Sequence, residues 1–180
     1  MRDPVELDDG IVVRLLADDD GPALAEAYRR NREHLAPWEP ERSPGFFSDA
    51  VHVREVRALL ERYASGRAIP LVLVDDDDEI VGRVNLSDIV RGVFLNANLG
   101  YWVDGRLTGR GLATTAVGVA LHAAREHGLH RVQAGTLVHN AASQAVLERN
   151  GFERIGLARR YLRIAGSWQD HVLFERLLED

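Results

Sequence analysis

A chain of 180 residues with 46% hydrophobic and 28% charged content has an ordinary globular composition and suits one domain with a substantial core. It contains no cysteine, which excludes disulfides, thiolate nucleophiles and Cys-rich zinc sites and is compatible with a cytoplasmic address. The net charge of −6, the lack of any apolar run of the ~20 residues that span a bilayer, and the lack of an apolar signal core in Met1–Glu6 make nucleic acid and membrane unexpected partners.

Ile11 to Leu16 reads as a first strand. Asp18, Asp19 and Asp20 open the next pattern, where they can cap a helix and favour its positive end, with Pro22 tolerated in the first turn. Leu24, Tyr28 and Asn31 share one face of that helix, expected to end near His34. Two prolines then punctuate Leu35-Ala36-Pro37-Trp38-Glu39-Pro40, which cannot remain regular helix. A second helix is expected from about Ser48 to Ala64, with Val53, Val56, Leu59, Leu60 and Tyr63 inward. Ile69–Val74 and Ile80–Leu86 are β-rich runs joined by a hairpin turn at Asp75–Glu79, and Val93–Val103 is a third. A helix at Leu112–His127 with Gly128 as its C-terminal cap, a strand at Val132–Val138 and a helix at Ala141–Arg149 follow. Phe152–Leu162 and Val172–Leu178 are closing strands that turn near Gly166. The order predicts an α/β (α+β) fold, a mixed sheet of about seven strands flanked by about four helices, in one domain over residues 1–180. The unit spanning 99–138 should be a parallel, right-handed crossover.

The loop Arg106-Leu107-Thr108-Gly109-Arg110-Gly111 joins a strand-like run to a helix N-terminus. Glycines there let backbone N–H groups approach a ligand, and the helix end adds partial positive charge, so a pyrophosphate fits. Gly-x-Gly alone occurs by chance. It gains meaning from a second strand–turn–helix within one crossover length, carrying Asn140, Ser143 and Gly151-Phe152. Walker-type phosphate binding is disfavoured, because Gly111 is followed by Leu112-Ala113. Asn140 also suits a plain N-cap, Ser143 an inert first-turn position, and Trp38 either packing or substrate contact. Tyr101 and Trp102 should point to opposite faces, one of them into core. No metal is expected: His122, His127 and His130 lack i, i+4 spacing on one face, and Asp75–Asp78 lacks the glycine and the final glutamate of an EF-hand loop.

Taken with Gly100-Tyr101-Trp102, the segment Asn31–Trp38 and Asp170-His171, these motifs resemble the GCN5-related N-acetyltransferases (GNAT). Within them the chain resembles the RimJ/RimL-type branch named for ribosomal-protein N-terminal acetyltransferases. The resemblance implies a mostly antiparallel, twisted GNAT sheet splayed between its fourth and fifth strands, with acetyl-CoA as co-substrate and possible homodimer assembly. It implies that the backbone of Arg106, Leu107, Thr108, Gly109, Arg110, Gly111, Leu112 and Ala113 cradles the pyrophosphate. Tyr101, Trp102 and Val103 would pair with the pantetheine arm, and Asn140 would hydrogen-bond it. Ser143 would sit near the thioester sulfur and protonate the departing thiolate, while Trp38, Asn85 and Tyr101 would face the acceptor. A direct attack in a ternary complex needs no covalent enzyme intermediate, in agreement with the missing cysteine.

Many branch members carry a glutamate two residues before the Gly-Tyr pair, where it can act as general base; here that slot is Asn98. An amide accepts no proton at neutral pH, which leaves a water relayed by Asn98 or Asn85, His139, or solvent alone. The expected acceptor is a protein or peptide N-terminal α-amine. An unperturbed α-amine titrates at about 7.7–8.0, which leaves a useful neutral fraction, unlike lysine at about 10.4. A small-molecule amine such as an antibiotic or polyamine is the alternative acceptor, and a non-catalytic acyl-CoA sensor is the alternative prompted by Asn98.

Overall fold

The computed structural model describes residues 3–178, so Met1 and Arg2 of the N-terminal segment lie outside it. Eight strands form one sheet: β1 (Val5–Glu6), β2 (Val12–Leu15), β3 (Ile69–Val74), β4 (Ile80–Val90), β5 (Asn96–Val103), β6 (Arg131–Leu137), β7 (Glu153–Ile164) and β8 (Ser167–Leu177). Their order is β1-β2-β3-β4-β5-β6-β8-β7, and every pairing is antiparallel except β5 with β6. The strand β3, Ile-Pro-Leu-Val-Leu-Val, is buried throughout because helices cover both faces of the sheet there.

Five α-helices pack on this sheet: α1 (Gly21–Arg30), α2 (Arg32–Leu35), α3 (Asp49–Ala64), α4 (Leu112–Glu126) and α5 (Ala141–Arg149). Alternation along β3 sorts the core. Leu71 and Leu73 join Val84, Leu86, Ala97 and Leu99 beneath Ala116, Val117, Ala120 and Ala124 of α4. Val72 and Val74 face the other way, against Leu24, Ala27 and Tyr28 of α1 and Val56 of α3. Among the described residues no helix is long and apolar enough to cross a membrane.

The predicted elements recur with physical departures. The two-residue β1, too short for any periodicity, makes the eighth strand by pairing with Val12 and Val13. Asp20 stands at the N-cap of α1 but makes no side-chain cap bond there. Its carboxylate instead receives two bonds from Arg14 (2.7 and 2.8 Å) and one from the Ala17 N–H. The first predicted helix breaks at Asn31, making α2 a separate turn and raising the helix number to five. The run Val93–Val103 is shorter than expected. Val93 is fully exposed, Leu95 has φ 44°, and β5 starts only at Asn96, while β4 runs on to Val90. On α3, Val56 turns inward as expected, and so does His52, which is fully buried against Tyr28 (rings stacked at 5.1 Å) and Phe46 (4.8 Å).

The sheet opens between β5 and β6. They pair only at Asn96–Arg131, Ala97–Val132 and Asn98–Gln133. Beyond that point Leu99–Val103 stays with β4, and Ala134–Leu137 stays with β8. This is the splay expected between the fourth and fifth of the seven strands read from the sequence.

Candidate active site

The glycine loop sits between the end of β5 and α4, and it is held from behind. Asp104, the residue after β5, is buried and accepts bonds from Arg30 Nε (2.8 Å), Asn31 Nδ2 (2.9 Å), the Arg106 N–H (2.9 Å) and Arg106 Nε (3.1 Å). Burial pushes its carboxyl up, but these donors outweigh burial and hold it well below the usual aspartate range. Asn31 Oδ1 accepts the Gly105 N–H at 2.9 Å, so one amide ties the α1–α2 corner to the start of the loop. The Arg106 side chain also reaches Glu79 (3.0 Å), and Arg110 stands 3.7 Å from Asp9.

In front of the loop lies a cleft of about 510 Å³. Leu107, Thr108, Gly109, Gly111, Leu112 and Ala113 line it, whereas Arg106 and Arg110 do not. Gly109 (φ 79°) and Gly111 (φ 81°) are left-handed, and a Cβ placed on either would meet no atom within 4 Å. Gly111 is the N-cap of α4 and gives the first-turn N–H groups no side-chain cap. Thr114 and Arg149 also line the cleft and were not foreseen. A basic residue in the last turn of α5, one short helix beyond Asn140, was the available signal.

The cleft ends at Tyr101 and Ser143. Asn140 caps α5, its Oδ1 accepting the Ser143 N–H at 3.0 Å, which leaves Nδ2 for another partner. The Tyr101 hydroxyl lies 2.8 Å from Ser143 Oγ and 3.1 Å from the Ser143 carbonyl. Burial pushes the Tyr101 phenol up to about 12, only partly offset by the Ser143 bond, so it stays protonated at neutral pH. Trp102 points to the opposite face. Its Nε1 donates to Tyr28 Oη at 3.2 Å, so Trp102 packs against the α1/α3 core while still lining the cleft, and Tyr101 packs against the α4 side.

A second cavity of about 430 Å³ fills the gap between β5 and β6 and reaches the α1/α3 side. It shares Trp38, Tyr101, Trp102, Asn140 and Ser143 with the cleft, so the two meet there. Its floor includes Gly100 and, opposite it on β4, Asn85, whose buried Oδ1 has no hydrogen-bond partner. Six charged or titratable side chains here were not foreseen as site residues: Tyr28, Glu39, Arg42, Glu55, Arg83 and His171. Arg83 is buried and donates to Glu55 Oε1 (2.9 Å) and Tyr28 Oη (3.3 Å). Burial pushes the Glu55 carboxyl up, but nearby His52 and the Arg83 guanidinium outweigh it and hold it at about 2. Burial likewise raises Glu39, against a weaker pull from Arg42 and Arg83. A lone charge inside the apolar run Ile80–Leu86 was the readable sign of Arg83; Glu39 and His171 lay within motifs already singled out.

Asn98 lines neither cavity. It is exposed, its Nδ2 3.4 Å from Asp88 Oδ2. His139 is exposed, its ring 5.7 Å from that of Trp38.

Comparison with known proteins identifies this architecture. The family model for the acetyltransferase (GNAT) domain matches residues 11–153. The [ribosomal protein uS5]-alanine N-acetyltransferase of Escherichia coli is 38% identical over 92% of this chain and 86% of its own. The crystal structure of ribosomal-protein-S5-alanine acetyltransferase from Vibrio fischeri superposes with a TM-score of 0.94 at 35% identity, covering 98% of this chain and 97% of that one. Mycobacterium smegmatis RimJ in complex with CoA-disulfide gives 0.89 at 30% identity, covering 97% and 86%. With the family match spanning most of its length and such relatives along nearly all of it, the chain belongs to the GNAT family of acetyl-CoA-dependent N-acetyltransferases.

Proposed function

We propose that the protein acetylates the α-amine of a protein N-terminus, of the kind found on ribosomal proteins. The observation that carries this is the junction of the two cavities at Trp38, Tyr101, Asn140 and Ser143, which lets a donor and an acceptor meet from opposite sides of the sheet. The chemistry of the cleft suits the donor. The open faces of Gly109 and Gly111 and the uncapped end of α4 offer N–H groups to a pyrophosphate, and Arg149 adds a cation. The unpaired edge of β5 beyond Asn98 offers backbone groups to an amide-bearing arm.

Bound there, acetyl-CoA supplies an activated thioester carbonyl. Ser143, backed by the Tyr101 phenol, supplies the proton that a departing thiolate takes up. The unpartnered Asn85 Oδ1 accepts an N–H from the incoming amine and orients it. Trp38 closes the junction against water. The alanine acceptor in the names of the Escherichia coli and Vibrio fischeri relatives selects the first substrate to try.

The test is mass spectrometry of three acceptors incubated with acetyl-CoA: a peptide with a free N-terminal alanine, the same peptide N-blocked but carrying a lysine, and a polyamine. The expected product forms on the first alone. Acetylation of the polyamine alone moves the protein to small-molecule amines, and binding of acetyl-CoA without any product makes it a sensor.

A further inference from the structure

Within the acetyl-transfer reading above, on which this inference rests, we propose that Glu39 is the proton acceptor for the incoming amine. Asn98, read from the sequence as a relay for the proton, is an amide that accepts none itself and lies outside both cavities. The titratable side chains that line the acceptor cavity are Tyr28, Glu39, Arg42, Glu55, Arg83, Tyr101 and His171. Neither the two phenols nor the two guanidinium groups accept a proton near neutral pH. Glu55 is already engaged: Oε1 takes the Arg83 bond at 2.9 Å, and Oε2 stands 3.4 Å from His52 Nδ1. His171 is buried in the sheet with Nδ1 3.1 Å from the Gln169 carbonyl, which leaves Nε2 as the competing acceptor that the His171→Gln protein below tests.

Glu39 differs from all of these. Only its Oε2 meets a partner, Arg42, at 3.3 to 3.4 Å, and the Arg42 guanidinium is also drawn over the Phe46 ring at 4.3 Å. Oε1 has no hydrogen bond among the described residues. The backbone around the carboxylate is fixed at both ends. The Glu39 N–H donates to the Leu35 carbonyl (3.1 Å), and the Glu39 carbonyl accepts the Ala165 N–H (3.0 Å) from the β7–β8 turn. Its neighbour Trp38 lines both cavities, and Glu39 itself lines the acceptor cavity. Burial raises the Glu39 carboxyl, and Glu55 adds to the rise while Arg42 and Arg83 oppose it, which moves the group toward the pH at which it works.

The balance is simple. The acceptor enters as an ammonium and gives one proton to Glu39 Oε1. The neutral nitrogen forms its bond to the acetyl carbon as the carbon–sulfur bond breaks. The second nitrogen proton ends on sulfur by way of Ser143, and Glu39 returns its proton to solvent. Ammonium and thioester thus become amide, thiol and one proton.

The experiment is the pH dependence of steady-state acetylation of the N-terminal alanine peptide by the full chain and by Glu39→Gln. The variant should lose about 100-fold in kcat near neutral pH with the KM for acetyl-CoA unchanged, which also certifies its fold. Its rate should then climb with the free-amine fraction, so that the deficit shrinks above the amine's own pKa of about 8. A loss equal at every pH, or a raised peptide KM with kcat intact, makes Glu39 a binding contact and overturns the proposal. So does a His171→Gln protein that shows this altered profile while Glu39→Gln does not. Wild-type protein that binds acetyl-CoA but acetylates no amine overturns the parent reading instead.

Discussion

Ser143 and Tyr101 hold each other at 2.8 Å, and their separate substitution distinguishes the proton donor from its support. Ser143→Ala removes the hydroxyl but keeps the backbone N–H that Asn140 accepts, so α5 stays capped. Loss of a positioned acid predicts a fall in kcat of about 100-fold. Affinity for acetyl-CoA, measured by calorimetry, should stay within a few-fold. Tyr101→Phe keeps the ring in the sheet and removes only the oxygen that orients Ser143. It should cost several-fold less than Ser143→Ala if Tyr101 is the support, and at least as much if Tyr101 is itself the donor. The phenol sits at about 12 because it is buried, so it remains protonated through the working range. The wild-type rate should therefore show no alkaline decline below the phenol's own range, and a decline there would place a more acidic donor in the site.

At the level of elements, the glycine loop depends on a corner made from three distant segments. The α1–α2 corner contributes Arg30 and Asn31, Asp104 follows β5 directly, and Glu79 from the β3–β4 hairpin takes the far end of Arg106. Asp104→Asn leaves two guanidinium groups facing an amide in a buried place. It should cost about 3 kcal/mol, or a fall in Tm of roughly 6–12 °C for a chain of this size. The folded-state pKa of Asp104 lies below its unfolded value of about 3.9. Its stabilisation is thus fully present above that value and is lost as pH falls through the folded pKa. Denaturant melts taken down through the acid range should show a shallower loss of stability for Asp104→Asn than for wild type. The same corner marks what the sequence could and could not reveal. The strands and the loop were legible because alternation, prolines and a glycine-bearing helix start are local signals. The break at Asn31 was not, because its partners Asp104 and Gly105 lie more than seventy positions away. Asp20 read as a cap until Arg14, on the neighbouring strand, claimed its carboxylate. The donor side of the site follows the chain from Gly109 to Ser143 and could be read from motifs. The acceptor side is assembled from α1, α3, β4, β8 and the segment after α2, and no stretch of sequence announces such a meeting.

For the whole molecule, the decisive weakness is the seam between β5 and β6, where only three residue pairs join two halves of the sheet. Backbone groups of Leu99–Val103 and Ala134–Leu137 that would pair in a closed sheet are left to the cavity and to solvent. An unpaired buried backbone group costs free energy, so a ligand that supplies partners along this edge should stabilise the fold beyond simple occupancy of a surface groove. A ligand at 100 times its dissociation constant adds about 2.7 kcal/mol, a rise in Tm of roughly 5–10 °C here. That rise should follow acetyl-CoA and CoA, whose amide-bearing arm would supply the partners that the seam lacks, and should be absent with ATP or NAD at equal concentration. Hydrogen exchange then locates the effect. Protection is expected at residues 101–103, at the glycine loop and at the start of α4, with the outer strands β1 to β3 unchanged. Protection confined to the loop and α4 would mean that only the pyrophosphate is held and that the seam is not the path of the arm. A response to ATP equal to that of CoA would make the cleft a general nucleotide site and remove the physical basis for seating the thioester beside Ser143.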